Sequence, residues 1–503
     1  MWRAPSMLLR NSLWNLSGSA VPMVVALATV PLLIGALGVE GFGIVTMVGS
    51  VIGYFGVLDI NLSAGAIKYL AEHHAASDRA RFAETFWFGI LFYGILGLTG
   101  AAAIFFGAEL LIERFFEVSE AMHESTVLAF QVAALGFALS QAQSYLLVVP
   151  QALQRYDRSA QSEAFFGTLV NLASVAAALA GTGVVGVIVA RVAVAVSNLL
   201  YLVWLIRGFK LGLSPCWPRP DVRKALTSFS AYAYLSKIAS TLHQHADKLI
   251  VGAIAGPVAL AFYTVPVTLA GRVLGLTYRL SSVIYPRASA LAGAGRINEL
   301  RPVYLGVMRY VTYINLAALG IMVLAGDEFL RRWVGEEFVQ QGFPVLILMT
   351  LALLADSLTN IPSMVNDALG HPRITGRFAL ANGVCGVLMV YLGTTYFGIV
   401  GAAGGHLLSS LTLGMIFLLY VHGRTVPVTF GESMRTGFGR SLVVGLLIIG
   451  VLAPLKMLMP GGLFATAVIV SAALVALSLA GLYFIVGVDE RAAMLAYARR
   501  RRS

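Results

Sequence analysis

Between residues 12 and 486 the chain is divided into about fourteen apolar runs, most of about 18 residues or more. A helix rises 1.5 Å per residue, so about 20 such residues cross the roughly 30 Å hydrocarbon layer of a bilayer. The runs fall near 12–36, 41–63, 85–106, 125–149, 165–181, 184–206, 227–254, 259–286, 304–325, 342–365, 378–397, 399–421, 440–458 and 463–486. Only 12% of the residues are charged, against about 25% in an ordinary soluble domain. The expected fold is an all-α polytopic membrane protein of about fourteen transmembrane helices.

The connecting segments carry a sided charge. With the N-terminus in the cytoplasm, 25 of the 35 lysines and arginines fall on cytoplasmic segments. Only Arg114, Arg331 and Arg332 fall on the opposite loops, and the remaining 7 lie inside the runs. Positive charge is retained on the cytoplasmic side during insertion, so both termini are expected there and the number of crossings is even. Twelve and fourteen both satisfy this. The net charge of +11 is dispersed among loops, which argues against nucleic acid as a partner. The tail Arg499 to Arg502 reads as a contact with anionic membrane lipid or as a topology signal. No cleavable leader is expected, because the first apolar run is too long for one. Cys216 lies in a basic loop and Cys385 inside an apolar run, so neither a disulfide nor a metal site is expected.

The sequence repeats at an offset of 215–217 residues. Leu33-Ile34-Gly35-Ala36 matches Leu249-Ile250-Val251-Gly252-Ala253, Ala152-Leu153-Gln154-Arg155 matches Ala368-Leu369-Gly370-His371, and Gly183-Val184-Val185-Gly186 matches Gly398-Ile399-Val400-Gly401. Each match is weak by itself; the shared offset carries the inference. It divides the chain into an N-lobe (1–210, six helices), a C-lobe (211–425, six helices) and a remainder (426–503) with two helices and a basic tail. Six helices per lobe preserve orientation, so this is a parallel repeat of the kind that supports alternating access by rocking.

Charges inside the runs mark the candidate site. A charge at a bilayer centre costs about 2.5–3.5 kcal/mol on insertion scales, so it is retained facing a water-filled cavity or a partner. The seventh run carries Lys237, Asp247 and Lys248 on a polar stripe, and the eighth carries Arg272 and Arg279 two turns apart. At 100° per residue these form two basic stripes able to converge on one anion, with arginine suited to bidentate phosphate or carboxylate recognition. Asp247 and Lys248 also read as a structural pair near the outer end. Asn15 lies with Asn11, Gly18 and Pro22 on one face of the first run, which fits a cavity lining and a packing face equally. Arg191 shares a face with Asn198 in the sixth run. Asp356, one turn from Asn360, and His245 are the candidates for coupling to H+ or Na+; interhelical hydrogen bonding is the competing role for Asp356. His243, His245 and His406 are too isolated for a metal site. Arg309 and Lys456 lie near run ends and are expected to snorkel. No GxxxxGK[ST] sequence is present and no loop exceeds about 20 residues. Energy is therefore expected from an ion gradient, the membrane potential or metabolism of the product, and no cofactor is expected.

Several motifs resemble a known family. Asn11-Ser12-Leu13-Trp14-Asn15, then Pro31-Leu32-Leu33-Ile34-Gly35-Ala36-Leu37-Gly38 and Gly41-Phe42-Gly43, are similar to the polysaccharide or oligosaccharide flippases of bacterial inner membranes. Gly56-Val57-Leu58-Asp59-Ile60-Asn61-Leu62, Lys68-Tyr69-Leu70-Ala71-Glu72 and Gln151-Ala152-Leu153-Gln154-Arg155-Tyr156 continue the resemblance. Ile60-Asn61 replaces the family's usual Leu-Gly, and Lys68 its Arg. The resemblance implies a two-lobed transporter, not an enzyme, that moves a polyprenyl-pyrophosphate-linked glycan to the periplasmic leaflet. Polysaccharide polymerase and glycosyltransferases are its implied partners. Two rivals stand beside it. A cation-coupled multidrug antiporter of the same superfamily would want an acidic cavity. A membrane-embedded glycan polymerase or ligase would want large outer loops, and 107–124 and 326–341 are short.

Overall fold

The computed structural model describes residues 4–58, 62–281, 284–459, 462–487 and Arg491. Helices account for nearly all of it, and among the described residues the only β pairing is an isolated bridge between His422 and Val426. Eleven helices are long and apolar enough to cross a membrane. Three of the eleven contain a glycine whose backbone leaves the helix: Gly38 (φ 72°, ψ 171°), Gly256 (φ 77°, ψ 176°) and Gly398 (φ 60°, ψ −146°). An L-residue is strained there, whereas glycine has no Cβ to clash. Each glycine divides its long helix into two legs. Past Gly398 the two legs run back to back, so a Cβ built on Gly393 would meet the Gly401 carbonyl at 2.0 Å, and one on Gly405 would meet Met389. Divided at these glycines, the long helices yield fourteen segments among the described residues, each overlapping one of the fourteen apolar runs.

The repeat is visible in the backbone. Left-handed conformations recur at Gly38 and Gly256, Ser77 and Gly295, Gln154 and Gly370, and Gly181 and Gly398, each pair 216–218 residues apart. The two main apolar clusters match at the same offsets. Phe82, Phe86, Tyr145, Val149, Leu202, Leu205 and Val222 occupy in the first cluster the positions of Leu300, Tyr304, Ile361, Val365, Leu418, Val421 and Phe438 in the second.

The chain packs as two compact units, Met1–Ala261 and Phe262–Ser503. The division falls within the long helix Pro220–Ser281, whose first leg, 220–255, packs in the first unit. Val222 and Leu226 are buried in its apolar cluster. His245 rests on Gly53, where a Cβ would lie 2.4 Å from the ring. At the apex the Pro257 carbonyl sits where a Cβ on Gly43 would be, 1.9 Å away, and Gly256 lies against the Glu117 carbonyl. The second leg enters the other unit: the Phe262 ring meets Phe338 edge-on at 4.7 Å, and Tyr263 points its hydroxyl at Met349 Sδ, 3.8 Å away.

Helices Phe438–Leu458 and Leu463–Ala480 pack within the second unit, on helix Leu300–Val334. Gly445 abuts Leu316, Gly320 receives Ile449 and Leu477, and Tyr313 donates its hydroxyl to the Leu477 carbonyl at 2.6 Å. Lys456, expected from its place in the sequence to snorkel, forms an ion pair with Asp327 on the neighbouring helix. Arg309 lies over the Tyr310 ring, 5.0 Å from its centre. At the end of the twelfth segment, burial pushes the His422 imidazole below its usual pKa. As a neutral ring it donates from Nδ1 to the Leu418 carbonyl (2.7 Å) and accepts at Nε2 from Tyr304 (2.8 Å).

Candidate functional site

The two basic stripes read from the sequence belong to different units. Lys237, Asp247 and Lys248 are on segment 220–255, which beds on the first unit, and Arg272 and Arg279 are on segment 257–281 within the second. Lys237 and Arg279 have helical backbones, but their side chains lie outside the described residues, as does that of Asn15. Arg272 is exposed, although Leu269 and Ala270 beside it are buried. It lies 16 residues past Gly256, about 24 Å along the helix. No described carboxylate lies within 4.0 Å of it. A charged arginine within an apolar span is costly against acyl chains. Asp247 is buried at 5% exposure and Lys248 is half-buried. They lie nearer the Gly256 apex, at the outer end assigned from the sequence.

Arg191 faces its own unit. Its Nε donates to Ser174 Oγ at 3.1 Å, and Ser174 donates onward to the Val170 carbonyl. Asn198, on the same face, accepts from Ser162 at 2.9 Å. The polar edge of helix Gly183–Gly208 is thus engaged by helix Tyr156–Leu179. The outer face of that second helix holds a recess of about 520 Å³ lined by Gln161, Ala164, Phe165, Thr168, Leu169 and Leu172. It lacks charge and does not suit an anion.

His406 was set aside in the sequence as isolated. In the second unit its Nε2 lies 3.7 Å from an Asp356 carboxylate oxygen. The imidazole is buried and Asp356 is mostly so. Fifty residues separate the two, and no local spacing signals the contact. His245, the other coupling candidate, is half-buried against Gly53 in the first unit. Among the described residues no group of three His, Cys, Asp or Glu is placed to hold a metal.

A second feature escaped the sequence reading. Glu84, nearly buried at the start of helix Arg79–Phe115, binds Arg219 Nε through both oxygens at 2.9 and 3.0 Å. This hydrogen bond and the carboxylate charge raise the Arg219 pKa further above the ordinary arginine value.

Fourteen apolar segments, twelve of them in two repeated sets of six, define a multi-pass membrane protein fold. The chain belongs to the polysaccharide biosynthesis protein family, whose model matches residues 34–341. It is 25% identical over 406 residues to a Shigella flexneri protein named "Putative O-antigen transporter", covering 79% of this chain and 93% of that one. An Escherichia coli K12 protein of the same name is 23% identical over 212 residues, covering 41% and 50%. Among solved structures, the lipid II flippase MurJ in an inward closed conformation superposes with a TM-score of 0.74 at 10% identity, covering 94% of this chain and 98% of that one. An inward-facing multidrug resistance MATE family transporter of the MOP superfamily gives 0.66 at 15% identity, covering 81% and 97%. At these identities the likeness is one of fold. The relatives are named transporters and flippases, and the chain is likewise a transporter rather than an enzyme.

Proposed function

We propose that the protein flips a polyprenyl-pyrophosphate-linked oligosaccharide across the bacterial inner membrane for surface polysaccharide assembly. The observation that carries this reading is Arg272, an exposed guanidinium deep in an apolar segment of a chain whose relatives are named O-antigen transporters. A pyrophosphate supplies the anionic oxygens that arginine and lysine bind best. Lys237, Lys248, Arg272 and Arg279 against Asp247 make a cationic lining, which disfavours the cationic substrates of a drug antiporter. The head group enters from the cytoplasm while the prenyl chain stays in lipid. Rocking of two lobes, 1–210 and 211–425, then exposes the head group outward, with 426–503 carried on the second lobe. Both termini are cytoplasmic in this reading, and the polymerase acts on the delivered product. Deleting the gene and measuring prenyl-linked intermediates by mass tests the function. Complete glycan units accumulate on their carrier at the inner face; unchanged intermediates with normal surface glycan overturn the reading.

The cycle is driven in this proposal by protons taken up at Asp356 beside His406, and no cofactor takes part. Asp356→Asn keeps the shape of the side chain and removes its charge. Flipping in vesicles then loses its dependence on an imposed pH gradient while head-group binding is retained. An unaltered gradient dependence places coupling elsewhere.

A further inference from the structure

One face of helix Tyr156–Leu179 turns from cationic to apolar along its length. At its start Arg155 and Arg158 share the carboxylate of Asp157, at 3.1 and 3.6 Å, so this turn keeps a net positive charge. Arg158 Nη1 also donates to Gln161 Oε1 at 3.4 Å. Glu163, two residues further on, is on the opposite side of the helix. Gln161 begins the recess of about 520 Å³, which continues through Phe165 and Thr168 to Leu172. From Gln161 to Leu172 the helix rises about 16 Å. The recess is open on one side, where Phe165 and Leu172 are 61% and 51% exposed. Its wall is braced by a row of rings. Phe165 meets Phe166 edge-on at 5.0 Å, Phe166 meets Tyr201 at 5.6 Å, and Tyr201 meets Trp204 at 5.9 Å. Rings packed in this way hold the hollow open, and an apolar hollow does not retain water. The Thr168 hydroxyl is buried without a hydrogen-bond partner among the described residues.

We infer that this face seats a prenyl phosphate lipid, with the phosphate at Arg155 and Arg158 and the chain in the recess. In the transport proposed above, on which this rests, this end of the helix is cytoplasmic, and the seat holds the substrate's tail while its head group is taken up. A cationic turn followed by an apolar hollow complements an anionic head on a long tail. The phospholipids of the membrane share that plan, so the chain decides between them. A prenyl chain bears a methyl branch on every fourth backbone carbon, about 5 Å apart at ordinary carbon–carbon bond lengths. Ala164 and Thr168 are small side chains four residues apart, about 6 Å along the helix, and they leave notches beside the larger Phe165 and Leu172. Branches at that spacing enter the notches, whereas a straight acyl chain lies across them. Each prenyl unit also carries a double bond, whose π electrons accept weakly from the Thr168 hydroxyl.

The test uses the full chain in vesicles of phosphatidylethanolamine and phosphatidylglycerol doped with polyprenyl phosphate. A photoreactive benzophenone amino acid replaces Phe165, and the mass of the lipid captured on irradiation is read. Polyprenyl phosphate is captured at position 165 at least about tenfold above its share of the lipid. The same amino acid replacing Leu200, which is 64% exposed on the neighbouring helix, captures lipids in their bulk proportions. Ala164→Leu with Thr168→Leu fills the notches and lowers capture at position 165 at least about fivefold. Arg158→Gln leaves the recess intact; it lowers capture of polyprenyl phosphate but not of polyprenol, the uncharged chain. Phospholipid adducts alone, capture in bulk proportions at position 165, or unaltered capture in both variants overturns the inference. Capture needs no transport, so the two proposals fail separately. A deletion strain that accumulates prenyl-linked intermediates, with no enrichment at position 165, removes the seat and leaves the transport. Enrichment at position 165 with unchanged intermediates removes the transport and leaves the seat.

Discussion

Replacing Arg272 with alanine abolishes most glycan export while the protein still inserts and accumulates in the membrane. A charge-assisted hydrogen bond to an ionised ligand contributes about 1.5–3 kcal/mol. Its loss lowers head-group affinity roughly 10- to 100-fold, and more if both guanidinium nitrogens are engaged. Because the side chain is exposed, truncation leaves no cavity in either apolar cluster, so stability is not the route of the effect. Arg272→Lys restores charge but not the planar fork and recovers only part of the activity. Lys237→Ala, on the stripe carried by the first unit, has the same direction. The measurement is surface glycan in a deletion strain complemented with each variant, normalised to membrane protein. Normal export by both alanine variants removes the cationic site.

The second large effect is steric. Gly43→Ala brings a Cβ to 1.9 Å from the Pro257 carbonyl oxygen and 2.5 Å from its carbon. Neither backbone can yield without moving the Gly256 apex, which is itself against the Glu117 carbonyl. Overpacking costs about 1–3 kcal/mol when side chains can give way, and more against a fixed backbone. The variant therefore loses about 3 kcal/mol or more of stability, read as a lower melting temperature in detergent. Gly49→Ala is the control on the same segment. Its Cβ meets nothing within 4 Å, and alanine favours a helix over glycine by up to about 1 kcal/mol. It is neutral or slightly stabilising. Equal melting temperatures for the two variants would show that the turn at Gly256 does not rest on Gly43.

The crossings were legible because their physics is one-dimensional. Length and hydrophobicity decide whether a segment such as 304–325 enters lipid, and these are written residue after residue. The repeat was legible for a related reason: Gln154 and Gly370 end equivalent helices, and the same backbone demand recurs at the same offset. Lys456 shows the limit. Its place near a run end suggested snorkelling but not a partner; Asp327 is 129 residues away and is brought to it by helix packing. His406 appeared isolated for the same reason.

The sequence alone determined the solvent of this chain, its class, its internal duplication and the cations deep in its seventh and eighth segments. The tertiary structure decided how those segments are shared. Segment 220–255 belongs with the first unit because Gly53 receives His245 and because Val222 and Leu226 are buried in its apolar cluster, and residues 262–281 belong with the second because Phe262 meets Phe338 and Tyr263 meets Met349. Burial and charge cost are properties of a segment and can be read along the chain. Contacts between segments depend on which surfaces meet, and backbone approaches such as Pro257 on Gly43 exist only once the helices are packed.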